Sequence, residues 1–115
     1  MRNMAFSKTL EQMRSKTKTV TRRWGWNTLQ PGTYVRAVQK GMGLKKGEKV
    51  VPIGVIRVVS VEQVPIDWLP PEELAAEGFP GLRPDKFMIL LGKPPEGRET
   101  ITRIEFEHVP EKSNG

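Results

Sequence analysis

Cysteine is missing from the sequence. A thiol nucleophile, a cysteine-based zinc site and a disulfide frame are thereby excluded. Histidine occurs once, as His108. It reads as a surface residue at a strand end and not as a member of a Ser-His-Asp triad. No apolar run reaches the length of a membrane span. The opening stretch "MRNMAFSKTLEQM" lacks the apolar core of a signal peptide, so a cytoplasmic location is the expectation. Internal repeats and low-complexity tracts are also missing. Only the ends read as loose: a few residues at the start, and "PEKSNG" at the finish.

Acidic residues are scarce in one half. None lies between Glu11 and Glu48. Residues 1–58 carry 13 Lys and Arg against those two acids, a net +11. Residues 59–115 carry six against 11 acids, a net −5. The whole chain stands at +6. A patch of this kind concentrates polyanions and speeds their encounter. A basic face kept for solubility, or one that neutralises the acidic half, is the bland alternative. The 115 residues suit one domain, 1–115, with its core over about 5–109. That length buries a modest core without metal or disulfide help.

The elements follow from local pattern. Ser7 is a candidate N-cap, and Phe6, Leu10 and Met13 fall at helical spacing, which predicts a helix over 8–16. "TKTVTRR" (17–23) is rich in β-branched residues and reads as extended. "QPGT" is a turn, and "YVRAVQK" (34–40) a strand. "GMGLKKGE" (41–48) is a flexible basic loop without a nucleotide-cradle pattern. Val55–Val64 is the strongest strand, and Pro52 and Gly54 place a bulge or an edge near its start. "LPPEELAAEGF" (69–79) and "RPDKFMILLG" (83–92) read as short helices, each with an early proline and a closing glycine. "ETITRIEFEHV" (99–109) closes the chain as a strand, with Ile104 and Phe106 on one face and Glu105 and Glu107 on the other. The expected class is α+β: a small mixed β-barrel with short flanking helices. Val35, Ala37, Val55, Ile56, Val59, Ile104 and Phe106 are its predicted core.

Several stretches occur in a telling order: "KTVTRR", "LQPGTYV", a long β-branched strand, "LAAEGF" and "TRIEFEHV". This set resembles the ASCH family, whose domains have a PUA-like β-barrel fold. Two positions depart from the family pattern. Ser15-Lys16-Thr17 stands where Gly-Arg usually leads into the lysine, and Thr33 stands where the turn aspartate usually follows glycine. The resemblance implies RNA binding. Some members are reported to cut RNA. One small bacterial branch is an amidohydrolase that deacetylates acetylcytidine with a lysine, a threonine and a glutamate. Matched by motif, these fall on Lys18, Thr21 and Glu77, and the arginine that ends the first motif falls on Arg23.

The residues themselves admit that chemistry. A threonine hydroxyl needs a base beside it, and a lysine among cations serves once its pKa falls. Lys16, Arg22 and Arg23 surround Lys18 in sequence. Glu77 would hold the lysine or pass a proton to the leaving amine, and Arg23 or backbone N–H groups would steady an oxyanion. Equally, Glu77 would simply close a salt bridge that pins a helix to the barrel.

Trp24 and Trp26, two apart, share a face if extended, either as a stacking platform or as core. Arg22 and Arg23 would then point to opposite faces. Arg22, Arg36, Lys40, Lys45 and Lys46 are candidate phosphate contacts. No cofactor and no metal are expected. Three functions compete at this stage. The first is an RNA- or nucleoside-binding module with a cationic pocket at the barrel mouth. The second is a metal-free hydrolase acting on a modified nucleoside, or a ribonuclease. The third is an interaction domain that meets an acidic protein.

Overall fold

The computed structural model describes residues 1–41 and 44–110. Its elements are β1 (Asn3–Ala5), α1 (Leu10–Arg14), β2 (Val20–Arg23), β3 (Tyr34–Val38), β4 (Pro52–Pro65), α2 (Pro71–Ala76), α3 (Pro84–Leu91) and β5 (Thr100–His108). Residues 42–43 of the basic loop and 111–115 of the terminal "PEKSNG" lie outside the described residues. Among the described residues no helix is long and apolar enough to cross a membrane.

Among the described residues five strands form one mixed sheet in the order β1-β3-β4-β5-β2. β1 and β3 run parallel, and the β3–β4, β4–β5 and β5–β2 pairings are antiparallel. The start of the chain is therefore not loose: Asn3–Ala5 pair with Arg36–Val38, and Met4 is fully buried. Three residues are too few to show a period of two, so the sequence hides this strand. The expected barrel does not close through its backbone among the described residues. β1 and β2 are the two edges of an open sheet. What crosses between those edges is a side chain: Arg23 Nη2 donates to the Ala5 carbonyl.

β4 begins at Pro52, earlier than the clean strand read from the sequence. Ala37 faces Gly54 and Val38 faces Pro52, so Ile53 is an extra residue and the irregularity expected near Pro52 and Gly54 is a bulge. A second irregularity, between Val58 and Ser60, turns the strand over. Val58 is buried, and Val59, expected in the core, is exposed. Val55 is half-buried. The remaining predicted core residues, Val35, Ala37, Ile56, Ile104 and Phe106, pack with Met4, Phe6, Met13, Leu29 and Val58.

α1 is shorter than expected and begins at Leu10. Thr9, not Ser7, occupies the N-cap position, and its side chain makes no capping hydrogen bond. α2 follows its sequence signals closely. Pro71 opens it, and Glu72 and Glu73 lie at the positive end of its dipole. Its other end is a Schellman turn: Phe79 N–H donates to Leu74 O and Gly78 N–H to Ala75 O. Gly78 holds φ +102, and a Cβ there would lie 2.9 Å from the Gln12 side chain. Only glycine fits, for conformation and for space. α3 places Phe87 against Leu69 and Leu74 in a second apolar cluster, separate from the core of the sheet.

Candidate functional site

The site is built where β2 meets the end of α2. A helix ends with unpaired carbonyls. At α2, three successive carbonyls find partners outside the helix. Thr19 N–H donates to Ala76 O at 2.8 Å. Lys18 Nζ donates to Glu77 O at 2.6 Å, and Gln12 Nε2 to Gly78 O at 3.0 Å. This grip fixes Glu77 against the segment that carries Lys18, although 59 residues separate them.

Glu77 then divides its carboxylate. Oε1 accepts from Lys18 at 3.0 Å and Oε2 from Arg22 Nη1 at 2.9 Å. Arg22 Nη2 continues to Glu73 Oε1 at 2.7 Å. Glu73 is also gripped by Arg103, at 2.6 and 3.0 Å, and Arg103 reaches Glu62 at 3.2 Å on the surface. Charges alternate along this row from the interior to solvent. Burial draws Lys18 below the usual lysine value, and Glu77 opposes that shift. Burial pushes Glu73 up, but hydrogen bonds from Arg103 and Arg22 outweigh it and hold the carboxyl below its ordinary value. Arg103 is raised, chiefly by its hydrogen bond to Glu73. The side chain of Arg22 is fully buried, which removes it from the expected set of phosphate contacts. Its guanidinium lies 5.6 Å from the Trp68 ring and donates to the Trp68 carbonyl.

Arg23 behaves differently. Its guanidinium lies 4.6 Å from the Phe6 ring, and Nε donates to Thr21 Oγ1 at 3.3 Å. Burial pushes it down to about 10, with Glu77 partly opposing. It stays cationic at neutral pH. The expectation that Trp24 and Trp26 share a face of an extended segment fails. β2 ends at Arg23, and Gly25 (φ +81) and Trp26 (φ +58) turn the chain. Trp24 Nε1 donates to Leu91 O at 3.0 Å, while Trp26 packs on the main core with Arg2 4.0 Å over its ring.

These side chains border one cavity of about 380 Å³ between the two apolar clusters. Lys18, Thr21, Glu77 and the two arginines supply its polar part. Trp24, Trp26, Phe79 and Leu91 supply apolar wall. Arg36, Lys40, Lys45 and Lys46 do not reach it. They lie outside the cavity on β3 and the loop that follows, and Lys40 pairs with Glu48 at 3.6 Å.

The sequence reading missed Lys8, which also borders the cavity, as well as Glu73 and His108. Glu73 was legible, since it lies one helical turn before Glu77. His108 follows Ile104 and Phe106 on the inward face of β5, and it is half-buried, not a surface residue. Its Nε2 lies 2.7 Å from Lys18 O. A carbonyl only accepts, so Nε2 carries the proton.

Comparison of the sequence with protein-family models and with curated proteins gives no match. Comparison of the fold is informative. A protein of Enterococcus faecalis V583, described as family-model DUF984, superposes with a TM-score of 0.62 at 16% identity, over 95% of this chain and 76% of that one. The ASCH domain from Lactobacillus crispatus JV V101 superposes with a TM-score of 0.57 at 14% identity, over 93% of this chain and 78% of that one. The chain has an ASCH-like fold: a five-stranded mixed sheet with short helices.

Proposed function

We propose that the cavity receives one nucleobase with its sugar, from RNA or as a free nucleoside or nucleotide, in the service of RNA metabolism. The observation that carries this reading is the pairing of buried polar groups, Lys18, Thr21 and Glu77, with indole and phenyl wall in a single cavity. A base needs both, since its edge hydrogen-bonds and its faces are apolar. The cavity volume falls within the range of small-molecule sites. The ASCH-like fold supports the same reading by analogy. Arg36, Lys45 and Lys46 would meet the phosphates of a longer strand outside the cavity.

The test is a titration of tryptophan fluorescence with nucleosides, nucleotides and short RNAs. Saturable quenching that Lys18→Met weakens is the expected result. Failure of all of these ligands to bind would leave the acidic-protein reading in its place.

A second reading is amide hydrolysis, favoured by the proton inventory of Lys18. Two of its N–H groups point at Glu77, at the backbone oxygen and at Oε1. In the amine form, which burial favours, its lone pair is free to take the Thr21 hydroxyl proton. Thr21 Oγ1 then bonds to the acyl carbon, and the C–N bond breaks as the amine leaves with the proton. Water afterwards hydrolyses the acyl ester. Release of cytidine from acetylcytidine, followed by chromatography, tests this reading.

A further inference from the structure

Among the described residues four cations border the cavity: Lys8, Lys18, Arg22 and Arg23. Two of them are matched. Lys18 and Arg22 share Glu77, and Arg22 also holds Glu73. Arg23 and Lys8 form no ion pair among the described residues. Their partners are neutral oxygens. Arg23 donates to Thr21 Oγ1 and Ala5 O, and Lys8 donates to Leu90 O at 2.7 Å.

A guanidinium has five N–H donors and an ammonium three. Arg23 therefore keeps three uncommitted donors and Lys8 two. Lys8 is exposed, but Arg23 is half-buried with only the more distant charge of Glu77 to offset it, and an anion in the cavity would relieve that desolvation. The depressed value of Arg23 expresses that cost.

We propose that the ligand carries a phosphate monoester, held by the free edge of Arg23 and by Lys8, while its base lies against the Trp24 side of the cavity. The inference rests on the nucleobase reading and narrows it. A phosphate monoester brings close to two negative charges and three acceptor oxygens at neutral pH, which answers two unpaired cations. An internal phosphodiester brings only one charge. The class is thus a nucleoside monophosphate, whether a free mononucleotide or the phosphorylated end of an RNA.

Calorimetric titration decides it. The probes are the four nucleosides, their 5′- and 3′-monophosphates, ribose 5-phosphate, inorganic phosphate, and a short RNA with and without a terminal phosphate. At least one monophosphate is expected to bind about tenfold or more tighter than its nucleoside, the effect of a charge-assisted hydrogen bond. Lys8→Gln changes an exposed residue, and a melting curve checks its fold. It should cut that preference severalfold, and Arg23→Gln should cut it further. Tighter binding of the phosphorylated RNA than of the free mononucleotide identifies the strand end as the source, and the reverse identifies the free nucleotide.

Equal affinity for nucleoside and monophosphate overturns the inference but spares the base-binding reading. A preference untouched by both substitutions, or inorganic phosphate binding as tightly as the mononucleotide, also overturns it. If no nucleoside, nucleotide or RNA binds, the base-binding reading fails as well.

Discussion

Lys18 reaches Glu77 twice, with Nζ 2.6 Å from its backbone oxygen and 3.0 Å from its carboxylate. The first contact depends on where α2 ends and the second on the identity of the residue there. His108 holds the other end of Lys18 through its carbonyl. The lysine is thus fixed at both its main chain and its tip before any ligand arrives, which is what a site made to position a proton or a base requires.

Glu77→Ala is expected to destabilise the fold by roughly 3–5 kcal/mol, because it strands Lys18 and one arm of Arg22 in the interior. Urea unfolding measures the loss. Glu77→Gln, which keeps the shape and an acceptor, should lose less. A change under about 1 kcal/mol for the alanine variant would mean that the pair is relaxed by water.

Acid should weaken the fold through Glu73. Its folded value lies below its unfolded one, so its contribution is complete above the ordinary carboxylate value of 4.5 and is lost as pH falls through the folded value. Unfolding midpoints should therefore decline below about pH 4.5. Glu73→Gln should flatten part of that decline, and an unchanged profile would count against the assignment.

If the amide-hydrolysis reading holds, Thr21→Ala should lower turnover of acetylcytidine by about a hundredfold or more and leave affinity nearly unchanged. The rate for the intact protein should rise with pH as Lys18 loses its proton, with a midpoint below the ordinary 10.5. Absence of turnover across roughly pH 6–9 would remove that reading.

The outer cations make a separate prediction. Replacing Arg36, Lys45 and Lys46 by alanine should weaken binding of single-stranded RNA whatever its sequence. Each phosphate that is no longer neutralised should reduce the slope of log affinity against log salt by about 0.7. Arg22 has no place in that set, since its side chain is wholly buried. Affinity that ignores salt would show that these residues only solubilise the surface.

Gly78→Ala should cost about 1–3 kcal/mol, since it combines a left-handed backbone with a collision against Gln12. The Gly78→Ala, Gln12→Ala double variant separates the two. Compared with Gln12→Ala alone, which gives the cost of losing the bond to Gly78 O, it should recover the part of the collision due to Gln12 Cγ and leave the conformational part, as read from melting temperatures.

Much of the fold was legible because its elements announce themselves locally. β5 alternates, α2 and α3 open on proline and close before glycine, and half of the residues of β4 are β-branched. What failed was non-local. Val59 faces outward because it alternates with the buried Ile56 and Val58, a facing that pairing with β5 sets and a run of β-branched residues does not reveal, and Asn3–Ala5 became a strand only because β3 offered an edge. At the site, the motif order pointed to Lys18, Thr21 and Glu77, and all three border the cavity. The burial of Arg22 was not legible, because it follows from Glu73 and Glu77 arriving together from a helix more than 50 residues away. The turn at Gly25 and Trp26 was equally hidden, since spacing of two presumes the extension that those dihedrals break.

Two side chains on the rim of the cavity also finish a helix. Lys8 and Trp24 bond the last carbonyls of α3, Leu90 O and Leu91 O. A ligand that pulls either side chain off its carbonyl therefore releases a helix end, and one that engages only the free donors of Lys8 leaves it capped. Occupancy of the cavity and the order of the last turn of α3 are thus coupled. Amide exchange along Phe87–Leu91 should accordingly report ligand binding without any label on the ligand, faster if the bonds are surrendered and slower if the ligand braces them.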